Sequence, residues 1–192
     1  MISWIDGTTG CAWYKQVWAE RDEIMDGEEV DALSEQRGGN HYKSLKIQPI
    51  EFCEINGLTA CQSSIVRYMT RHTVKGGVVD VEKAIHYASL MLRMAGADWI
   101  LDLPMTKKSL LQQYALKWAM SRGGCLGTSI LERAKNKMPV YFSSVYSAAN
   151  RLNILEAKAI RLICDDPSPS RVAEAIEAMK EIIARDYAGA AA

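Results

Sequence analysis

Two stretches, ACQSSIVRYMTRH (residues 60–72) and DVEKAIHYASLMLRMA (residues 80–95), decide the fold of this chain. In each stretch, apolar residues recur every three or four positions, which is the spacing of one face of an α-helix. The sequence KGG at residues 75–77 lies between them and predicts a tight turn. The pattern therefore indicates two antiparallel helices joined by a glycine turn, with Asp80 as the N-cap of the second helix.

The rest of the chain also shows helical periodicity, and no segment has the sustained alternation of a strand. Pro49 suits the first turn of a short helix that Asn56 and Gly57 end. A long apolar repeat over residues 141–164 predicts a single helix with Val145 facing inward. Ser168 and Pro169 predict the start of a last helix. The predicted fold is an all-α helical bundle with an N-terminal helical arm and a C-terminal helical extension.

The charge of the chain sums to zero, because 23 Lys and Arg balance 23 Asp and Glu in 192 residues. Residues 1–40 hold nine acidic and three basic residues, whereas residues 41–96 hold four acidic and seven basic residues and all three histidines. We therefore divide the chain into an acidic helical arm (1–38), a central helical domain (39–96) and a C-terminal helical region (97–192). A neutral chain is not a generally basic nucleic-acid binder, so nucleic acid is not an expected partner.

Several protein classes are excluded by composition. The five cysteines are scattered without a C-x-x-C pair, which argues against a structural zinc site and favours reduced thiols in a cytoplasm. No apolar stretch approaches the roughly 20 residues that span a bilayer, and the start lacks the features of a signal peptide. We expect a soluble, cytoplasmic protein without a membrane partner.

We also expect a homo-oligomer, because four tryptophans exceed what a small monomer buries: Trp4, Trp13, Trp18 and Trp99.

The predicted hairpin carries four cations whose spacing directs them toward one place. Arg67 and Arg71 are four residues apart and leave the same helix face, and Lys75 lies one turn further on. Lys83 lies in the first turn of the next helix, where backbone N–H groups favour an anion. Arginine binds phosphate with a two-pronged fork and lysine binds it as a point charge. We predict a phosphate-sized cluster, which His41 and Tyr42 reach from the preceding loop.

Plainer interpretations of the same residues stay open. The two arginines are equally compatible with solvated positions, or with ion pairs to Glu51 or Asp80. The loop histidine is compatible with a turn residue that bonds to backbone. His72 and His86 are expected at helix surfaces, because no paired metal-ligand spacing such as H-E-x-x-H includes them.

A set of short motifs in this region resembles a known family. They are H-Y at residues 41–42, I-Q-P-I-E at 47–51, I-x-x-Y-x-x-R at 65–71, K-G at 75–76 and D-x-x-K-A-x-x-Y at 80–87. Together, over residues 39–95, they resemble a small domain that is common in tailed-phage genomes. That domain is known as SaV-like or nucleotide kinase, and it is similar to phage deoxynucleoside monophosphate kinases that lack a P-loop.

The resemblance implies phosphoryl transfer from ATP or another nucleoside triphosphate to a deoxynucleoside monophosphate, in the host cytoplasm of an infected bacterium. It also implies a helical, oligomeric protein. No motif indicates a Mg²⁺ site, and G-x-x-x-x-G-K-[ST] is absent, so the cations would position the phosphates by electrostatics. With Arg67 added from its spacing, we assign His41, Glu51, Arg71 and Lys75 to catalysis, and Tyr42, Gln48, Arg67, Asp80, Lys83 and Tyr87 to binding of substrate and phosphate. In these roles the four cations clamp phosphate, His41 or Glu51 is the base, and Tyr42 or Tyr87 stacks on the nucleotide base.

Three other functions are compatible with the sequence. The first is a nucleotide-binding protein without catalysis, which a phage would use against host defence. The second is a nucleotide pyrophosphohydrolase similar to the MazG type, with magnesium held by Glu51, Glu54, Asp80 and Glu82. The third is a DNA-binding regulator formed by residues 107–160, whose cations would be Lys107, Lys108, Arg133, Lys135, Lys137 and Arg151.

Overall fold

A computed structural model describes residues 40–95, 129–138 and 140–189. Within these residues the chain forms seven helices and no strand, so the predicted all-α helical bundle is confirmed. The helices are α1 (Pro49–Asn56), α2 (Ala60–Arg71), α3 (Gly77–Met94), α4 (Ile130–Lys135), α5 (Ser143–Ala149), α6 (Ile154–Cys164) and α7 (Pro169–Asp186). None of these seven helices is both long enough and apolar enough to cross a membrane. The predictions about the acidic arm, the four tryptophans, Lys107 and Lys108 lie outside the described residues.

The ends of α1 and α7 follow the predicted turn chemistry. Pro49 occupies the first turn of α1, and Gly57 ends the helix in a left-handed conformation with φ of 57°. The hydroxyl of Ser168 accepts a hydrogen bond from the backbone N–H of Arg171 and so caps α7. Short-range sequence signals therefore place these helix ends correctly.

The core lies where α3 packs against both α2 and α7, and where α6 packs against α7. Apolar residues at helical spacing on each of these helices are fully or almost fully buried, as the periodicity predicts. The largest of these buried apolar side chains on the four helices are Ile65, Met69, Met91, Ile160, Ile163, Met179 and Ile182. The α2–α3 hairpin thus packs against the C-terminal helices.

The start of α3 differs from the sequence prediction. The helix begins at Gly77, with Gly76 at the N-cap in a left-handed conformation with φ of 82°, so Asp80 is not the N-cap. Asp80 instead lies at the end of the first turn and is buried. A side chain at Gly76 would collide with the carboxylate of Asp80, and the positive φ also disfavours any other residue there.

The predicted single helix over residues 141–164 is wrong, because the chain breaks between α5 and α6. Arg151 adopts a positive φ of 56°, which ends the helical path. The side chain of Asn153 then accepts hydrogen bonds from the backbone N–H groups of Leu155 and Glu156, both at 3.0 Å, and starts α6. Val145, expected to face inward, is 49% exposed because α5 is a separate helix with its own orientation.

The expectation that His72 lies on the surface is also wrong. His72 follows α2 directly, and only 2% of the residue is exposed. Its ring nitrogens meet Glu156 from α6 and Tyr187 from the end of α7. His86 is exposed, as expected. The difference arises because the C-terminal helices cover the end of α2, which local periodicity does not reveal.

Candidate functional site

The candidate site is built around an ion pair between Arg71, at the end of α2, and Asp80, in the first turn of α3. Nε of Arg71 donates to Oδ2 of Asp80 at 2.8 Å, and Nη2 donates to Oδ1 at 3.3 Å. The side chain of Asp80 is 2% exposed and that of Arg71 is 20% exposed. Asp80 is one of the two ion-pair partners expected for the arginines from the sequence. It also fixes the guanidinium in one orientation, because a fork-to-fork contact permits little rotation.

Two of the predicted cations lie over the aromatic ring of Tyr68. Cζ of Arg71 is 4.9 Å from the centre of the Tyr68 ring, and Nζ of Lys83 is 5.6 Å from it. Both distances fall in the range of cation–π attraction. Nζ of Lys83 also lies 3.8 Å from Oδ1 of Asp80. Tyr68 also stacks on Tyr87, with ring centres 6.0 Å apart. The structure therefore brings Arg71, Lys83 and Tyr87 together around one ring.

The loop before α1 contributes His41 and Tyr42. Their rings meet edge to face with centres 4.2 Å apart, and the Tyr42 hydroxyl accepts a hydrogen bond from Nη1 of Arg71 at 3.4 Å. Burial raises the pKa of Tyr42 above its ordinary value of 10, at which the hydroxyl is already protonated near neutral pH. Burial, and then the positive charges of Lys75 and Arg71, lower the pKa of His41. The imidazole is thus held toward its neutral form beside Lys75 and Arg71, and the negative charge of Asp80 opposes this effect only in part.

Three predicted site residues form hydrogen bonds with partners other than Arg71 and Asp80. The carboxylate of Glu51 accepts a hydrogen bond from the backbone N–H of Gln48 at 2.6 Å, so this pair forms the capping box of α1. Arg67 is exposed and donates to the hydroxyl of Ser64 at 3.4 Å, on its own helix. The structure therefore gives Gln48 and Glu51 a role in capping α1, and it pairs Arg67 within α2.

Sequence reasoning missed one member of the cluster, Tyr68. Tyr68 is the tyrosine of the I-x-x-Y-x-x-R motif, but neither catalysis nor ligand binding is assigned to it from the sequence. Its position three residues before Arg71 placed both side chains on the same helix face, and this spacing was the signal that could have found it. The contact with Lys83, by contrast, depends on how α3 packs against α2.

The alternative metal site is not assembled in the described part of the chain. No three His, Cys, Asp or Glu side chains there form a group suited to a metal ion, so Glu51, Glu54, Asp80 and Glu82 do not form one. In the predicted DNA-binding module, Nη2 of Arg133 donates to the backbone carbonyl of Ile55 at 3.2 Å. Arg133 therefore connects α4 to α1.

Fold and site together define an all-α bundle that carries a cluster of cations and tyrosines at one helix–turn–helix. We name this the Tyr68 cluster, made of His41, Tyr42, Tyr68, Arg71, Lys75, Asp80, Lys83 and Tyr87. Residues 37–89 match a family model described as a protein family of unknown function, DUF3310. That match covers less than a third of the chain, includes the whole cluster and specifies no activity. No curated protein and no solved structure gave a match.

Proposed function

We propose that the Tyr68 cluster binds a nucleotide through its phosphate group. The observation that carries this proposal is the placement of Arg71 and Lys83 over one tyrosine ring and against one buried carboxylate. Because Asp80 balances one positive charge, the three cations Arg71, Lys75 and Lys83 leave a net charge of about +2. A phosphate monoester carries about −1.5 to −2 at neutral pH, so the two charges match.

The aromatic members of the cluster suit the rest of a nucleotide. Tyr42 and Tyr87 border the cations, and a nucleobase can stack on either ring because every base has a flat π face. A phosphate alone would need only the cations. The tyrosines therefore favour a nucleotide over a simple phosphate ester.

We further propose that the bound nucleotide is the deoxynucleoside monophosphate acceptor of a kinase reaction. In this reaction the bond between the γ-phosphorus of a nucleoside triphosphate and its bridging oxygen breaks, and an oxygen of the acceptor phosphate takes the phosphoryl group. The products are two nucleoside diphosphates, and Mg²⁺ arrives on the triphosphate. The residue that we assign to this reaction beyond binding is His41, because its imidazole lies beside Lys75 and Arg71 and can accept the proton that the monoanionic fraction of the acceptor phosphate carries.

The first experiment measures binding by thermal stabilisation of the full chain with deoxynucleoside monophosphates, nucleoside triphosphates and inorganic phosphate. We expect stabilisation by at least one monophosphate, and an affinity about three- to tenfold weaker in Lys83→Gln because one charge-assisted contact is lost. The matched control is Lys180→Gln. Lys180 is similarly exposed and also pairs with an acid three residues away, but it lies on α7 and its partner is Glu177. The proposal fails if no nucleotide stabilises the chain, or if both variants bind equally well.

The second experiment separates the kinase from a binding protein. The stabilising monophosphate is incubated with ATP and Mg²⁺, and the diphosphate product is measured. Product formation that falls in His41→Gln while binding persists is the expected result. Saturable binding without any diphosphate would reject the kinase step and leave nucleotide binding in place.

A further inference from the structure

The strongest feature outside the Tyr68 cluster is a buried hydrogen-bond network around His72. Nε2 of His72 lies 2.7 Å from Oε1 of Glu156, and Nδ1 lies 2.7 Å from the hydroxyl of Tyr187. The hydroxyl of Tyr187 also donates to the backbone carbonyl of His72 at 3.2 Å. Both ring nitrogens and the carbonyl of one residue are thus engaged by two other helices.

Tyr187 contacts both ends of the turn between α2 and α3. Its hydroxyl bonds to His72 before the turn, and its ring edge lies against Gly77 after it, where an added Cβ would be 3.7 Å from Cε1. The intervening residues 73–76, which include Lys75, are all exposed. One tyrosine at the end of α7 therefore contacts both ends of an exposed turn.

Glu156 anchors the other side of the network to α6. Its Oε2 accepts a hydrogen bond from the backbone N–H of Asn153 at 2.7 Å, while its Oε1 contacts His72. The carboxylate is thus held in place by the N-terminus of a helix, and it can hold the imidazole in turn. Because a buried polar group without partners is costly, this network favours one arrangement of the chain after α2.

We propose that Tyr187 and Glu156 are positioning residues for the Tyr68 cluster. They hold residues 72–77 so that Arg71, Lys75 and Asp80 keep the arrangement described above, and α7 thereby sets the affinity of the cluster for its ligand. The ligand in this statement is the nucleotide of the proposed function, on which the proposal rests. The support of the turn itself rests on the observed contacts of Tyr187 and Glu156.

The test compares Tyr187→Phe, which keeps the ring against Gly77 and removes only the hydroxyl, with the exposed-tyrosine control Tyr141→Phe. Trypsin cleavage after Lys75 in the native full-length chain is followed by mass spectrometry. We expect cleavage about two- to tenfold faster in Tyr187→Phe than in the control, because losing both hydrogen bonds of the Tyr187 hydroxyl favours local opening of the turn. Glu156→Gln loosens the same ring from α6 and is expected to act in the same direction.

The second readout is the affinity for deoxynucleoside monophosphates and inorganic phosphate, which we expect to weaken about two- to tenfold in Tyr187→Phe. Equal cleavage after Lys75 in Tyr187→Phe and Tyr141→Phe overturns the proposal. Faster cleavage with unchanged affinity overturns the positioning role. If the wild-type chain binds none of these ligands, the proposed function fails, whereas faster cleavage still supports Tyr187 as the residue that holds the turn.

Discussion

At the scale of single residues, Asp80 makes more contacts than the sequence predicted. Its carboxylate receives the fork of Arg71, lies 3.8 Å from Nζ of Lys83 and occupies the space that a side chain at Gly76 would need. One buried acid therefore organises the cations on both sides of the turn. An anion that bound here would compete with Asp80 for the same cations, so the proposed ligand must carry enough negative charge to do so.

The pKa of His41 provides a test of this arrangement. Burial and the charges of Lys75 and Arg71 lower that pKa from its ordinary value of about 6.5. In Lys75→Gln one positive charge disappears, so the protonated imidazole is less disfavoured and the pKa should rise toward 6.5. NMR titration of the ring C–H resonance measures this midpoint. Lys46→Gln, in the same loop, is the control; an equal midpoint in wild type and Lys75→Gln would show that Lys75 does not act on His41.

At the scale of elements, the segment between α5 and α6 holds the loop before α1 in place by hydrogen bonds. The side-chain oxygen of Asn150 accepts hydrogen bonds from the backbone N–H groups of Lys46 and Ile47, at 3.1 and 3.2 Å. Its amide nitrogen donates to the carbonyl of Ile47 at 2.8 Å. A residue that ends one helix thus also fixes the chain a few residues after His41 and Tyr42.

Replacing Asn150 should therefore weaken the whole domain. We expect Asn150→Ala to lower the free energy of unfolding by about 1–3 kcal/mol, because three hydrogen bonds are lost and the partly buried N–H and carbonyl groups of Ile47 are left unpaired. Urea unfolding measures the change. Asn136→Ala, at the exposed end of α4, is the control and should change stability by no more than about 0.5 kcal/mol. An equal loss of unfolding free energy in the two variants would show that Asn150 does not hold the loop before α1.

At the scale of the whole described bundle, stability depends on the contact of α6 and α7 with the hairpin. Ile163 is fully buried, and its carbonyl accepts a hydrogen bond from the side chain of Gln62 at 2.9 Å, which joins α6 to α2. Ile154, on the same helix, is 81% exposed. The helix therefore offers two isoleucines in opposite environments.

These two isoleucines allow a matched measurement of core packing. Ile163→Ala should lower the free energy of unfolding by about 2–5 kcal/mol, because it removes buried methyl groups and leaves a cavity. Ile154→Ala should change it by no more than about 0.5 kcal/mol. Both are measured by urea unfolding with comparable slopes. Similar losses at the two positions would mean that α6 does not pack as described.

The sequence by itself determined the helical class, the glycine turn, the ends of α1 and α7, and the approach of Arg71 and Lys83 to one place. These features follow from periodicity and turn chemistry, which act over a few residues. Only the tertiary structure decided the burial of His72, the contact of Asn150 with the loop before α1 and the place of Lys83 over Tyr68. The first two depend on partners 84 to 115 residues away in the chain. The last depends on how two helices pack. Contacts of this kind form only when elements assemble, so no local pattern of residues encodes them.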